Sequence, residues 1–177
     1  MLFLVFSLFL CFVLVLSKEV TPRIYGVPKI HKVGIPLRPI VDTIGSPTYL
    51  LALHLAKIIK PLVGNSDSFV KDSNHFVQFT KEVRIDHSDI LVSFDVVSLF
   101  TKVPIPNSIH IVKEKMGDEI ASLVKLCLRS TFFSFQNVFY EQVDGVAMGF
   151  PLSPIITNLY MEHFEEVALR SFPLQPK

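Results

Sequence analysis

Apolar residues recur along the chain at several different spacings, and these spacings predict both helices and strands. Residues 21–43 mix short apolar stretches with proline and glycine, which predicts an irregular β-hairpin with its turn at residues 32–34 (Lys-Val-Gly). Residues 131–143 (TFFSFQNVFYEQV) alternate apolar and polar positions on either side of residues 136–137 (Gln-Asn). That alternation predicts a second hairpin.

Two helices are predicted after the first hairpin. The first begins at Ser46, in front of Pro47, and is stopped by Pro61. Its apolar side, at helical spacing, consists of Leu51, Leu55, Ile58 and Ile59. A cap at Asp72 or Ser73 predicts the second helix. The apolar side of that helix consists of Phe76, Val77, Phe79 and Val83.

Helical patterns also occupy residues 108–130 and 155–170. Asn107 can cap the first of these, and a joint at residues 117–118 (Gly-Asp) would divide it into two helices. The side chains expected to face the core there are Leu123, Leu126, Cys127 and Ser130. Helices combined with antiparallel hairpins indicate the α+β class. The length of 177 residues is enough for one domain with a hydrophobic core.

One carboxylate interrupts the most apolar internal segment, residues 90–100 (ILVSFDVVSLF). The β-branched composition predicts a strand buried on both faces, with Asp95 in its middle. A buried ionised carboxylate is costly unless a cation, a metal ion or hydrogen bonds compensate it. Two interpretations remain open: Asp95 lies solvated or backbone-bonded at a strand end, or it binds a metal ion.

An apolar segment also opens the chain, at residues 1–16. Its length suits the apolar part of a secretory signal better than the roughly 18 residues that span a bilayer, although no cationic residue precedes it. We expect residues 1–17 to be a signal-like leader or an anchor that contacts a membrane, and whether it functions stays open. The formal net charge of the chain is +1, so binding to nucleic acid would need a local cluster of Lys and Arg.

Three blocks of the sequence carry a family resemblance. The first, YGVPKIHKVGIPLRPIVDTIGSPTY, is similar to the fingers segment of reverse transcriptases of Penelope-like retroelements. The resemblance implies that Arg38 and Lys29 bind the incoming nucleotide, with Arg38 on its triphosphate. Arg23 and Lys32 place further positive charge on the same hairpin and would contact nucleic acid. For each residue taken alone, a solvated basic face is the alternative.

The second block, SFDVVSLFTKVP, resembles motif A of reverse transcriptases, in which an aspartate begins a D-x-x-x-x-aromatic pattern. Asp95 and Phe100 occupy the two ends of that pattern. The resemblance implies that Asp95 is catalytic and that it binds Mg²⁺ together with the backbone carbonyl of Val96, in a site for two ions. Phe100 would exclude ribonucleotides through a clash with the 2′-hydroxyl, and a plain core aromatic is the alternative.

The third block, GVAMGFPLSPIITNLYMEHFE, resembles motif B, a glycine-rich loop and helix that lie beneath the incoming nucleotide. Gly145 and Gly149 would let the backbone approach the nucleotide closely and adopt positive φ. The Penelope-like pattern has a serine where this chain has Phe150. We expect the benzyl group to crowd the nucleotide pocket.

Together the three blocks imply the fingers and part of the palm of a right-hand polymerase, with a fingers-like subdomain at residues 18–89 and a partial palm at residues 90–177. The implied activity is RNA-directed DNA polymerisation with an RNA template, a DNA primer, deoxynucleoside triphosphates and Mg²⁺. The 177 residues contain no Asp-Asp dipeptide, so the Y-x-D-D sequence of motif C is missing and we expect the chain alone to be inactive.

Two alternative functions remain open from the sequence. One is a non-catalytic nucleic-acid-binding remnant of a retroelement, which the basic hairpin suggests. The other is a secreted or membrane-anchored structural protein, which only residues 1–17 suggest. Family resemblance indicates an intracellular location, whereas a working leader would direct the chain to the secretory route or to a membrane.

Overall fold

The computed structural model describes residues 20–173, which combine helices with one four-stranded sheet. The strands are β1 (Arg23–Pro28), β2 (Leu37–Asp42), β3 (Phe132–Phe135) and β4 (Val138–Glu141). The helices are α1 (Tyr49–Ile59), α2 (Ser73–Glu82), α3 (Leu99–Lys102), α4 (Ile105–Met116), α5 (Asp118–Arg129) and α6 (Ser153–Ser171). A 3-10 turn, Lys60–Leu62, follows α1. The expected leader lies outside the described residues, and none of the described helices is long and apolar enough to cross a membrane.

Both predicted hairpins are confirmed, and they join into one sheet with the strand order β2-β1-β3-β4. β1 pairs antiparallel with β2, β3 pairs antiparallel with β4, and β1 runs parallel to β3. Gln136 and Asn137 have φ of 50° and 62°, as the two central residues of a type I′ turn require. Because β1 pairs with β3, residues from the 18–89 and 90–177 ranges share one sheet.

The hydrophobic core lies among α1, α4, α5 and α6, which pack against one another. Helix α1 confirms the first predicted helix, although it begins at Tyr49 instead of Ser46. Its buried residues include Leu51, Leu55 and Ile59, whereas Ile58 is only partly buried. Helix α6 confirms the last predicted helix and contributes Ile156 and Leu159 to the core. Apolar spacing along α1 therefore predicted three of its buried positions.

The predicted joint between two helices is confirmed at Gly117, whose φ of 86° ends α4 before α5 begins. Helix α4 begins earlier than predicted, because Pro104 is its N-cap residue and Pro106 suits the first turn, so Asn107 does not cap it. Cys127 is fully buried as expected, but Leu126 is 43% exposed. The buried face of α5 instead consists of Ala121, Val124, Cys127 and Leu128, which recur at helical spacing and leave Leu126 on another side.

Helix α2 forms as predicted, but it buries none of its residues. The Asp72 side chain caps the helix by accepting a hydrogen bond from the backbone N–H of His75 at 2.8 Å. The expected apolar side is exposed at Phe76, Val77 and Phe79. The cap therefore specifies where this helix begins, while no packing against the described core specifies its orientation.

The prediction of a buried strand at residues 90–100 is wrong. Residues 90–96 have no regular secondary structure, and Ser98, with φ of 57°, precedes the short helix α3. Leu91 and Phe94 are 91% and 92% exposed. A β-branched segment becomes a strand only when a neighbouring strand pairs with its backbone. None of the four described strands pairs with this one.

Candidate nucleotide and nucleic-acid site

Residues 145–149, which we name the glycine loop, connect two distant parts of the chain. On one side the backbone N–H of Val146 donates a hydrogen bond to the Phe100 carbonyl at 2.7 Å. On the other side the backbone N–H of Val41, in β2, donates to the Met148 carbonyl at 2.8 Å. The loop therefore joins the end of the motif-A-like block to the strand that carries Arg38.

Gly145 and Gly149 have φ of +68° and +103°, as the sequence predicted. A Cβ atom on Gly145 would lie 2.5 Å from the Phe100 carbonyl oxygen, and one on Gly149 would overlap the Val41 carbonyl oxygen. Glycine is required at both positions because the chain's own backbone lies against them. That requirement is independent of any bound nucleotide.

Thr43 also contacts the glycine loop, through a side-chain hydrogen bond that the sequence patterns did not predict. Its hydroxyl donates a hydrogen bond to the Gly149 carbonyl at 3.1 Å, and the residue is 5% exposed. The two residues are 106 positions apart in the chain. No local pattern could have predicted the contact, because it depends on the tertiary structure that brings the glycine loop next to Thr43.

The two phenylalanines singled out in the sequence both contact the core. Phe150 is 3% exposed and belongs to the core cluster, where it lines a small cleft with Val41 and Thr48. The expectation that its benzyl group would project into an open pocket is therefore wrong. Phe100 is partly buried and packs against the same core, while its backbone carbonyl holds the glycine loop.

Asp95 lies in the exposed segment before α3, and its side chain is exposed. Val96 beside it is 44% exposed. Among residues 20–173 there is no group of three His, Cys, Asp or Glu side chains that could hold a metal ion. The described residues therefore do not by themselves supply the several carboxylates that a site for two magnesium ions needs.

The four predicted cationic residues lie on the first hairpin. Arg23 is in β1, Arg38 is in β2, and Lys32 is in the turn, where its backbone N–H donates to the Lys29 carbonyl at 3.0 Å. Arg23, Lys32 and Arg38 are exposed, and Lys29 is partly buried. None of the three ion pairs found within residues 20–173 involves these side chains. Their charges are therefore available to an anionic partner.

Comparison with known families identifies the class of protein. The sequence model of the family described as reverse transcriptase (RNA-dependent DNA polymerase) matches residues 46–172, well over half of the chain. The chain belongs to the reverse transcriptase family. The match includes Asp95, Phe100 and both loop glycines, whereas the basic hairpin precedes it. No curated protein matches the chain.

Proposed function

We propose that this chain forms the fingers and part of the palm of an RNA-directed DNA polymerase of the Penelope-like type. The observation that supports the proposal is the position of the glycine loop. Its backbone is bonded to Phe100 on one side and to Val41 on the other. The three blocks that resemble the Penelope-like sequences, which are far apart in the chain, therefore meet at one place.

Within this proposal, each residue has a separate task. Arg38 neutralises the triphosphate of the incoming nucleotide, and Lys29 supports it from the same hairpin. Phe100 is held by the core next to the loop and limits the space for a 2′-hydroxyl. Asp95 and the Val96 carbonyl supply part of the ligand set for divalent ions, whose charge would stabilise the developing negative charge on the transferred phosphate when they are bound.

We further propose that these 177 residues do not polymerise DNA without additional carboxylates. Two-metal transfer needs several carboxylates around the ions, and the described residues form no group of three or more His, Cys, Asp or Glu side chains that could hold a metal ion. Phe150 is not the cause of this deficit, because its side chain lies in the core. The missing ligands would have to come from further polypeptide or from a partner chain.

Primer extension on an RNA template tests this proposal, with deoxynucleoside triphosphates and Mg²⁺ present. We expect no synthesis from the chain alone. Robust synthesis that Asp95→Ala abolishes and Asp67→Ala leaves intact would overturn the inactivity; Asp67 is a matched exposed carboxylate outside the three blocks.

Nucleotide binding gives a second, independent readout. We expect a photoreactive deoxynucleoside triphosphate to crosslink to the complex of the chain with an RNA–DNA primer-template. Arg38→Ala should weaken that crosslink, and Arg129→Ala, which removes an exposed arginine from the last turn of α5, should not. Equal crosslinking in all three proteins would count against the assignment of Arg38.

A non-catalytic nucleic-acid-binding protein is the second candidate, and the unpaired charges of the basic hairpin favour it. Both candidates predict binding to an RNA–DNA duplex that weakens as salt increases, because phosphate contacts release counterions. Only the polymerase fragment predicts nucleotide crosslinking that depends on Arg38. Absence of duplex binding at low salt would contradict both.

A further inference from the structure

The two edges of the four-stranded sheet differ in how their backbone groups are used. On β2, the N–H of Val41 points away from β1 and donates to the Met148 carbonyl of the glycine loop at 2.8 Å. Pro39 has the same orientation in β2, and proline has no N–H. Proline and covering loops are devices that stop an edge strand from pairing with another chain. The β2 edge is therefore closed.

The β4 edge has neither device, and β4 contains no proline. The N–H of Gln142 donates to the Thr131 carbonyl at 3.0 Å, so it points toward β3. Backbone groups alternate in direction along an antiparallel strand. Those of Tyr140 therefore also point toward β3, whereas those of Phe139 and Glu141 point outward. Within residues 20–173, no other strand or loop bonds to these outward groups.

The side chains along the β4 edge are apolar and accessible. Phe139 is 71% exposed. Tyr140 stacks on Phe133 with ring centroids 5.7 Å apart, and it is still 45% exposed. Phe139 projects from one face of the sheet and Tyr140 from the other, because successive side chains alternate. A strand that paired with β4 would therefore cover apolar surface on both faces and also satisfy the outward backbone groups.

We propose that the β4 edge pairs antiparallel with the β4 edge of a second copy of this chain, which joins the two sheets into one continuous sheet. The two-fold axis passes at Tyr140, so that Phe139 lies opposite Glu141 of the second copy and symmetry supplies the reverse pair. In such a hydrogen-bonded pair the two residues exchange both N–H···O bonds. The outward groups of both residues are then satisfied. This inference goes beyond the proposed function and does not depend on it.

A second copy fits the β4 edge because the side chains are self-complementary in this register. Tyr140 faces its own copy in a non-hydrogen-bonded pair, in which the Cα atoms are only about 4.5 Å apart. That pair extends the stack of Phe133 on Tyr140 into the second copy, and opposed aromatic pairs are stabilising. On the other face, Phe139 and its copy are diagonal neighbours about 7–8 Å apart, within reach of aromatic side chains.

The two neighbouring two-fold registers are disfavoured by charge and by turn geometry. Shifting one way puts Glu141 directly opposite Glu141 of the second copy, and like charges in that position are destabilising. Shifting the other way puts Glu141 opposite Asn137, whose φ of 62° belongs to the hairpin turn instead of a strand. These features favour one defined dimer over unspecific association of apolar strands.

The size of the contact determines how strong the dimer is. Residues 138–143 are about a quarter of the 20–30 residues that each partner contributes to a standard interface. Interfaces at this small end belong to weak, reversible complexes. We therefore expect a monomer–dimer equilibrium with a dissociation constant on the order of 100 µM.

Amide hydrogen exchange of the full chain, followed by NMR at about 5 and 500 µM, tests the pairing. The N–H groups of Phe139 and Glu141 should exchange at least about twofold more slowly in the concentrated sample, because a large share of the chains is then paired. The N–H of Tyr140 is the internal control, since its bond to β3 protects it at both concentrations. Unchanged exchange at Phe139 and Glu141 would overturn the inference, even if the chain associates through another surface.

Paired charge variants test the register, with dissociation constants measured by sedimentation velocity. Phe139→Glu places like charges opposite each other twice in the dimer, which should weaken it roughly 2- to 30-fold. Mixing this variant with Glu141→Lys should restore dimerisation, because the introduced carboxylate then lies opposite the introduced ammonium group. Phe164→Glu, at an exposed phenylalanine of α6, is the matched control and should change the dissociation constant by less than about twofold. Failure of the mixture to dimerise would overturn the register.

A proline on the edge gives a backbone test. Glu141→Pro removes an outward N–H that β3 does not use, so circular dichroism should show the native secondary structure. The variant should stay monomeric where the wild-type chain dimerises. Dimerisation equal to that of the wild-type chain would contradict pairing through this edge. If the variant misfolds, amide exchange and the charge variants decide the question.

Discussion

Replacing Gly145 by alanine should destabilise the protein more than an equivalent substitution at an open glycine. Gly145 is buried, has φ of +68°, and faces the Phe100 carbonyl. The added methyl group would lie 2.5 Å from that oxygen and from the backbone of Thr101. These contacts are with backbone atoms, so no side-chain rotation can relieve them.

Two effects contribute to the expected loss of stability. A non-glycine residue at positive φ costs about 1–2 kcal/mol. Moving the loop away from Phe100 would also weaken the 2.7 Å hydrogen bond from Val146, whose residue is 1% exposed. An unsatisfied buried donor costs about 1–3 kcal/mol. We therefore expect the free energy of unfolding to fall by about 2–5 kcal/mol in Gly145→Ala.

Gly34→Ala is the matched control, because Gly34 has φ of +76° and its added Cβ would meet nothing within 4 Å. Gly34→Ala should lower the free energy of unfolding only by the cost of a non-glycine residue at positive φ, about 1–2 kcal/mol. Urea denaturation followed by far-UV circular dichroism measures both values. If the two variants lose the same stability, the glycine loop does not lie against the Phe100 carbonyl and the proposed site is wrong.

Three further predictions concern residues whose environment is now defined. Phe150→Ser, which introduces the serine of the Penelope-like pattern, should lower the free energy of unfolding by about 3–5 kcal/mol, as for other buried phenylalanines, and a neutral result in urea denaturation would contradict the burial of Phe150. Burial raises the pKa of the Cys127 thiol to about 12. In a Cys11→Ser background that thiol should be almost wholly protonated at pH 8 and react with Ellman's reagent only after unfolding in guanidinium; rapid reaction in the folded protein would show that it is accessible. Asp72→Ala removes the bond to the His75 N–H, so amide exchange in α2 should accelerate by the equivalent of about 1 kcal/mol, whereas an equal change in α5 would mean that the effect is global.

Local features of the sequence were sufficient to locate most of the elements. The turn at Gln136 and Asn137, the cap at Asp72 and the joint at Gly117 each depend on backbone angles or hydrogen bonds within a few residues. The required groups are therefore adjacent in the sequence and can be read from it. The family resemblance likewise depended on ordered blocks of residues, and the family match agrees with it at the level of reverse transcriptases.

Tertiary structure decided the features that depend on distant partners. Residues 90–96 have strand-like composition, but their conformation depends on whether another strand pairs with them, and within the described residues none does. Phe150 is a core residue because β2 and the helices close over it, and nothing in its immediate neighbours indicates that. The bond between Thr43 and the Gly149 carbonyl joins residues 106 positions apart. Short-range hydrogen bonds and allowed backbone angles depend on consecutive residues. Burial and strand pairing instead arise only after separate segments of the chain have come together.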